Sequence, residues 1–334
     1  MSTHEATQAR PAVKLGSTGP TVFPLGLGCM GMSGTYGATD DAESIRTLQA
    51  AIDRGVTLLD TGDFYGMGHN ELLVGRALEG RRDKVQLSVK FGALRGPDGS
   101  WSGNDTRPVA VKNFIAYSLK RLGVDVIDIY RPARLDPSVP IEDTIGAIAD
   151  LVKAGYVRHI GLSEVGVEVI RRAHRVHPIV DLQIEYSLAS RGPEAEIFPV
   201  LAQLGISATL YGVLSRGLLT GSKPKEAGDW RAHLPRFTGA HQQKNEDAVS
   251  ALQRFAHERH MTPGQLAIAW VRARQPTLLP VVGAKTRLQL EDALGALDYA
   301  LSKEDLTALE ALVTISGERY DPTQMKHLDS ERRA

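Results

Sequence analysis

The amino-acid sequence predicts an α/β protein, a (β/α)8 TIM barrel with an N-terminal β-hairpin and C-terminal helices. Eight short apolar segments, each followed by a segment of helical periodicity, recur at intervals of roughly thirty residues. Strict alternation of strand and helix is typical of a parallel sheet with helical crossovers. Eight such units in a chain of 334 residues fit a closed barrel better than an open doubly wound sheet.

The predicted strands begin with a hairpin, because apolar residues 13–15 and 21–23 flank a turn-rich segment at 16–20. The first barrel strand starts at Leu25 and runs into a glycine-rich loop that ends at Met32. The remaining seven strands are predicted at residues 56–59, 85–89, 126–130, 157–161, 180–184, 206–210 and 278–282.

Helices are predicted wherever apolar residues recur three and four positions apart between these strands. They span residues 40–52, 70–78, 109–122, 141–152, 168–176, 194–204, 246–257, 263–273, 288–297 and 303–312. Residues 212–243 are rich in Gly, Lys and Pro and are predicted as a long loop. The predicted organisation is therefore a disordered lead at 1–11, one barrel domain at 12–320 and a C-terminal tail at 321–334.

The composition argues against several classes of function. Lys and Arg together number 39, as do Asp and Glu, so no overall charge favours nucleic acid or an anionic membrane. No apolar run approaches the ~20 residues of a membrane span, and residues 1–11 lack the apolar core of a signal peptide. Cys29 is the only cysteine, which excludes an internal disulfide. A cytoplasmic protein without nucleic-acid or membrane partners is expected.

Two predicted strands carry residues suited to proton transfer at their carboxyl ends. Asp60 ends the second strand, Tyr65 lies in the loop after it, and Lys90 ends the third strand. Barrel enzymes place their catalytic residues on this rim. If Lys90 lies beside Tyr65 and pairs with Asp60, its positive charge should lower the pKa of the phenol. A tyrosine tuned in this way would donate a proton to a developing alkoxide.

Several motifs together resemble the aldo-keto reductases, because they occur in order and at matching spacing. They lie at residues 15–19 (LGSTG), 26–31 (GLGCMG), 58–66 (LLDTGDFYG), 70–71 (NE), 118–125 (SLKRLGVD), 128–130 (DIY) and 155–164 (GYVRHIGLSE). The resemblance runs from about residue 13 to 312 and is strongest to a bacterial and plant branch with pyridoxal reductase-like enzymes. It implies a barrel with a hairpin at its bottom and NADPH-dependent reduction of aldehydes or ketones without a metal.

The resemblance assigns catalytic roles to three residues. Tyr65 would be the general acid, Lys90 its activator, and Asp60 the partner that holds Lys90. The histidine that completes the family's catalytic set is replaced by Ala133. Its loss removes a donor to the carbonyl oxygen, which is typically worth a few kcal/mol of transition-state stabilisation.

Two arginines near this position, Arg131 and Arg134, leave two interpretations open. One of them replaces the missing donor, or both are solvated loop charges or members of structural ion pairs.

The resemblance also implies an NADPH site along the rim. After the first strand it includes Gly28, Cys29 and Met30. Ser163 and Gln183 would hold the carboxamide, with Glu164 where the family often has asparagine, and the ring of Tyr211 would stack on the nicotinamide. The pyrophosphate would meet Gly212, Leu214 and Arg216. The adenosine end would meet Gly283, Lys285, Gln289 and Asp292. Lys285, with Arg287 or Gln289, would contact the 2′-phosphate, which favours NADPH over NADH.

Two alternatives remain at the level of sequence. Because the catalytic histidine is missing, the sequence also suits a regulatory protein that binds nucleotide with slow or no turnover. A strand-end lysine would also suit a lyase that forms a Schiff base through Lys90. A dinucleotide fingerprint at residues 26–31 is only formal, since the strand before it is short. The partner is expected to be a small carbonyl compound chosen by loops 91–107 and 221–243, and the chain a monomer or weak homo-oligomer.

Overall fold

The computed structural model, which describes residues 11–224 and 229–331, contains eight parallel strands closed into a barrel. The described residues form twelve strands, of which eight make the barrel and four make two separate two-stranded sheets. They are β1 Val13–Lys14, β2 Thr21–Val22, β3 Gly26–Gly28, β4 Leu58–Gly62, β5 Gln86–Phe91, β6 Ala93–Arg95, β7 Trp101–Asn104, β8 Ile127–Pro132, β9 Val157–Ser163, β10 Ile179–Glu185, β11 Ser207–Tyr211 and β12 Leu279–Gly283. The barrel runs β3–β4–β5–β8–β9–β10–β11–β12 and closes on β3.

Helices follow the barrel strands and pack on the outside. They are α1 Asp41–Asp53, α2 His69–Ala77, α3 Pro108–Leu122, α4 Ile141–Lys153, α5 Val167–Val176, α6 Ile197–Leu204, α7 Gly239–His257, α8 Pro263–Arg274, α9 Arg287–Gly295, α10 Lys303–Leu312 and α11 Pro322–His327. The predicted (β/α)8 fold is therefore confirmed. Among the described residues, no helix combines the length and apolar character of a membrane span.

The N-terminal hairpin of β1 and β2 lies at the amino end of the barrel. Val13 pairs with Val22 across the hairpin, and both side chains are buried. They pack with apolar side chains from the lowest layer of the barrel, which are Leu58, Ile129, Val180, Leu279 and Val281. The hairpin therefore seals the end of the barrel opposite the rim that carries the polar residues. Of the predicted disordered lead, residues 1–10 lie outside the described residues.

Three segments differ from the predicted elements. The loop at 91–107 contains the hairpin of β6 and β7, which turns at Gly99 with φ +80°. The segment at 212–243 contains short 3-10 helices, and α7 already begins at Gly239. The part of the predicted tail at 321–331 forms α11, after which Asp329 accepts a hydrogen bond from the Gly166 amide at 2.7 Å. The last described residues therefore return to the rim of the barrel.

Candidate active site

Asp60 and Lys90 form a buried ion pair at the rim between β4 and β5. The strands pair in register with Asp60 opposite Ser88, and Lys90 Nζ donates to Asp60 Oδ1. The other carboxylate oxygen accepts hydrogen bonds from Ser88 Oγ and Gln183 Nε2, both at 2.8 Å. Burial alone would raise the pKa of Asp60, but the charges of Lys90 and Arg131 outweigh it and lower that pKa. Asp60 is therefore ionised, and its position is fixed by three donors.

Tyr65 stands directly beside this pair. It begins a short 3-10 helix, Tyr65–Gly68, that follows β4, and it is 9% exposed. The ammonium of Lys90 lies 5.1 Å from the centre of the Tyr65 ring. The Phe64 and Tyr65 rings pack edge to face, with their centres 4.8 Å apart. No residue in 11–224 or 229–331 makes a hydrogen bond with the Tyr65 hydroxyl. The structure thus brings the three predicted residues together and leaves the phenol available.

The expected lowering of the Tyr65 pKa is wrong. Burial raises this pKa well above its usual value, and the negative charge of Asp60 raises it further, while Arg134 opposes the change. The physical reason is that burial removes the phenolate form from water and that the carboxylate of Asp60 lies close to it. Tyr65 is therefore a protonated phenol at neutral pH.

The loop that carries Tyr65 is fixed by one buried amide. Asn70 Nδ2 donates to the Cys29 carbonyl at 2.8 Å and to Ser33 Oγ at 2.7 Å, while Thr61 Oγ1 donates to Asn70 Oδ1 at 2.7 Å. This amide links the end of β3, the end of β4 and the start of α2. Cys29 is fully buried, and burial raises the pKa of its thiol. Met30 opens the short 3-10 helix that follows.

The two arginines after β8 have different environments. Arg131 points into the barrel, is completely buried, and pairs with Asp181 at 2.9 Å and with Ser88 Oγ at 2.9 Å. It is a structural ion pair and does not replace the missing donor. Arg134 lies beyond the end of the strand, where it is partly buried and donates to the Ala133 carbonyl at 2.7 Å. It also approaches Ser163 Oγ at 3.5 Å.

Glu164 forms a buried hub at the end of β9. Its Oε1 accepts from the Tyr211 hydroxyl at 2.7 Å, and Arg319 donates to both of its carboxylate oxygens at 2.9 and 2.6 Å. Ser330 Oγ donates to Oε2 at 2.6 Å. Burial alone would raise the pKa of Glu164, but Arg319 holds it well below its usual range. The backbone of Glu164 has φ +53°, a strained conformation for a residue with a side chain.

The loop after β11 has a conformation that its sequence demands. Gly212 has φ +68°, and a Cβ there would lie 2.8 Å from Glu185 Cγ, so only glycine fits. Arg216 also has a positive φ, pairs with Glu185 at 2.8 Å, and lies 4.4 Å from the Tyr320 ring centre. The Leu214 carbonyl accepts from the Gly217 amide at 2.9 Å, which closes the turn.

Residues predicted for the adenosine end lie around the start of α9. Gly283 ends β12 opposite Gly28, so these two glycines adjoin at the rim. Lys285 Nζ donates to the carbonyls of Tyr36 at 3.1 Å and Ala38 at 3.0 Å. Gln289 Oε1 accepts from the Lys285 amide at 2.9 Å. Asp292 Oδ1, expected to meet adenine, instead accepts from Thr262 Oγ1 at 2.9 Å, at the N-cap of α8.

Comparisons with known proteins identify the family of this chain. The sequence profile of the aldo/keto reductase family matches residues 24–314. The chain is 40% identical over 326 residues to probable aldo-keto reductase 1 of Glycine max, covering 94% of this chain and 93% of the relative. The chain belongs to the aldo-keto reductase family.

Solved aldo-keto reductases have the same fold. The glycerol dehydrogenase of Gluconobacter oxydans superposes with a TM-score of 0.83 at 25% identity, covering 98% of each chain. An aldo-keto reductase of Bacillus halodurans, in its holo form, has a TM-score of 0.76 at 26% identity, covering 93% of this chain and 98% of the other. A thermostable aldo-keto reductase bound to the inhibitor epalrestat has a TM-score of 0.72 at 26% identity, covering 90% of this chain and 99% of the other. The protein is therefore an oxidoreductase with an aldo-keto reductase barrel.

Several residues of this aldo-keto reductase site were not predicted from the sequence. Ser88 lies on β5 and donates to Asp60 on β4. It is two positions before Lys90, so the alternation of side chains along a strand would have placed both on the same face. Arg319, Tyr320 and Ser330 come from the far end of the chain, where no motif marks them. Among the described residues, no group of three or more His, Cys, Asp or Glu side chains is arranged to hold a metal ion.

Proposed function

We propose that this aldo-keto reductase uses NADPH to reduce an aldehyde or ketone to the alcohol, with Tyr65 as the proton donor. The observation that carries the proposal is the rim cluster of Asp60, Tyr65 and Lys90, in which the phenol is protonated and has no hydrogen-bond partner among the described residues. The family to which the chain belongs typically reduces carbonyl compounds with nicotinamide cofactors. A single metal-independent proton donor is sufficient for that reaction.

The rim has the features that a dinucleotide phosphate requires. In the loop after β11, the Ser215 and Gly217 amides already donate to the Gly212 and Leu214 carbonyls at 2.7 and 2.9 Å, so the side chain of Arg216 is the group there that would meet phosphate. Arg216 would hold the pyrophosphate, while Lys285 at the start of α9 would hold the 2′-phosphate. When bound, the nicotinamide supplies the hydride.

The chain's own part in the reaction is to move one proton and to position the carbonyl. As the carbonyl oxygen gains negative charge, Tyr65 Oη gives up its proton to it, because an alkoxide is a stronger base than a phenolate. The Lys90 ammonium, 5.1 Å from the Tyr65 ring centre, then stabilises the phenolate that remains. Asp60 keeps Lys90 in this position through their buried ion pair.

The nicotinamide end of the pocket would be shaped by three further side chains. The Tyr211 ring would stack on the nicotinamide, held by the hydrogen bond from its hydroxyl to Glu164. Ser163 would bind the carboxamide. Gln183 directs its amide nitrogen to Asp60, so its amide oxygen is the atom that would accept from the carboxamide. Glu164 is fully occupied by Tyr211, Arg319 and Ser330, and therefore acts as a support rather than as a carboxamide ligand.

The proposal is tested by adding NADPH to the purified protein and following cofactor fluorescence, then its oxidation with a panel of aldehydes and ketones. We expect saturable binding and turnover with at least part of the panel. Binding without turnover would instead support a nucleotide-binding regulatory protein, the function that Ala133 in place of histidine would favour. A Lys90 adduct trapped by borohydride with a carbonyl compound would support the Schiff-base lyase.

A further inference from the structure

Arg134 is a guanidinium at the rim of the site whose charge is only partly offset, by the attraction of the nearby Glu164. It donates to the Ala133 carbonyl at 2.7 Å and to Ser163 Oγ at 3.5 Å, both neutral acceptors. Within the described part of the chain, no carboxylate forms an ion pair with it. A guanidinium has five N–H donors in a planar fork that matches a carboxylate. Most of this capacity is unused by the protein.

The carboxylates nearest to Arg134 are already engaged. Glu164 is neutralised by the two hydrogen bonds from Arg319 at 2.9 and 2.6 Å. Glu185 pairs with Arg216 at 2.8 Å and also attracts Arg319 and Arg236 at 3.4 and 3.6 Å. Four guanidinium groups thus face three carboxylates, the buried Glu164 and Glu185 and the more exposed Glu331, which pairs with Arg319 at 2.7 Å. This local excess of positive charge attracts anionic ligands.

Arg134 also lies at the part of the rim where Tyr65 is proposed to donate its proton, and not where the cofactor phosphates are proposed to bind. Ala133 continues β8 beside β5, where its amide donates to the Phe91 carbonyl at 2.8 Å, directly after Lys90. Arg134 is close enough to Tyr65 for its positive charge to act on the phenol, against the larger effects of burial and Asp60. Arg216 and Lys285 are placed along the rim for phosphates. Arg134 is therefore left for the substrate.

We propose that Arg134 binds a carboxylate on the substrate, so that the enzyme prefers carbonyl compounds that carry an acid group over their neutral analogues. This inference rests on the proposed reductase function and names its substrate class. The carboxylate would accept two hydrogen bonds from the guanidinium while the carbonyl oxygen lies at Tyr65 Oη. Such charge-assisted bonds are short and directional, and they hold the carbonyl in register with the proton donor.

The test compares acid and neutral substrates of the same shape. The ortho, meta and para isomers of carboxybenzaldehyde and their methyl esters are reduced with NADPH, and kcat/KM is measured for each. For at least one isomer, we expect the acid to exceed its ester by about tenfold or more, the effect of one charge-assisted interaction. Esters reduced as well as or better than the acids for all three isomers would overturn the inference and leave the reductase function intact.

Variants separate Arg134 from the general field of the rim. Arg134→Met should remove the preference for the acid, because it lowers kcat/KM for the acid far more than for the ester, while Arg134→Lys should restore part of the preference. Arg158→Met is the matched control, because Arg158 is 57% exposed and pairs with Asp128 at 3.3 Å near the amino ends of β8 and β9, away from the rim. Equal losses for acid and ester in Arg134→Met would overturn the inference in favour of a direct role in catalysis.

The two proposals fail in distinguishable ways. If no acid or ester is reduced, the reductase function fails, and the Arg134 site is judged by binding alone. In that case benzoate, but not benzamide, should raise the melting temperature of the NADP+-loaded protein, and Arg134→Met should abolish the rise. Equal effects of benzoate and benzamide would overturn the anion site.

Discussion

At the scale of single residues, the buried charges of this protein divide by whether a partner neutralises them. Asp60 and Glu164 are buried carboxylates that remain ionised because Lys90 and Arg319 bind them directly. Asp63 is 8% exposed, and neither of its carboxylate oxygens has a hydrogen-bond partner among the described residues. Burial first, and then the charge of Glu71, raises the pKa of Asp63 to about 7. Asp63 is therefore the carboxyl whose ionisation opposes folding.

Asp63 should make the protein less stable as the pH rises. Its pKa is raised from about 4 in the unfolded chain to about 7 in the folded one, so the folded state binds the proton more tightly. Its contribution is fully present below pH 4, is lost between about pH 4 and 7, and amounts to at most about 4 kcal/mol. Asp63→Asn should flatten the fall of the unfolding free energy across this range, measured by denaturant titration at several pH values.

A matched control for this prediction is Asp150→Asn on α4, whose carboxylate is 68% exposed and pairs with Lys112 at 3.3 Å. It should leave the pH profile of stability unchanged. Glu71 stays in place in both proteins, and burial raises its pKa as well, so some slope should remain. Parallel profiles for wild type and Asp63→Asn would show that the Asp63 carboxyl is solvated in solution.

At the scale of elements, the C-terminal segment from Arg319 to Glu331 is a structural part of the site. Arg319 and Ser330 both bind Glu164, and Asp329 binds the first amide before α5. Glu164 in turn holds the hydroxyl of Tyr211. The end of the chain therefore supports the side chain proposed to stack on the nicotinamide.

Glu164→Gln should weaken both the fold and cofactor binding. The substitution leaves the buried guanidinium of Arg319 with less compensation, which typically costs about 3–5 kcal/mol, and it loosens Tyr211. Arg319→Met should cost a similar amount, whereas the double variant should lose clearly less than the sum of the two single variants. Unfolding free energies and NADPH affinities of the four proteins test this. Strict additivity would mean that the two side chains do not interact in solution.

The sequence predicted some of the secondary-structure elements and missed others. Each predicted barrel strand exists, because short apolar runs between turn signals leave few alternatives. The hairpin of β6 and β7 was missed although Pro97, Asp98 and Gly99 are turn formers, because its strands are short and largely exposed and have no apolar alternation. Helix α11 was missed because it has six residues and none of them is buried. Such elements depend on tertiary contacts rather than on local pattern.

At the scale of the whole molecule, closure of the barrel explains why the predicted site residues meet. Parallel strands in register bring their carboxyl ends to one rim, so Asp60, Tyr65 and Lys90 could be placed together from the sequence. The electrostatics of these residues could not be predicted from the sequence, because the pKa of Tyr65 depends on its burial and on the nearby charge of Asp60. The different environments of Arg131 and Arg134 could not be predicted from the sequence either. The first side chain points into the barrel, and the second lies past the strand end.

The central claim is that Tyr65 supplies the proton for carbonyl reduction. It is tested most directly by measuring NADPH oxidation by wild type and Tyr65→Phe with an aldehyde that the wild type reduces, while NADPH affinity is followed by fluorescence. We expect the variant to bind NADPH with nearly unchanged affinity and to lose at least about a hundredfold in kcat, the usual contribution of a general acid. A Tyr65→Phe variant that reduces the aldehyde at a rate near that of the wild type would contradict the claim.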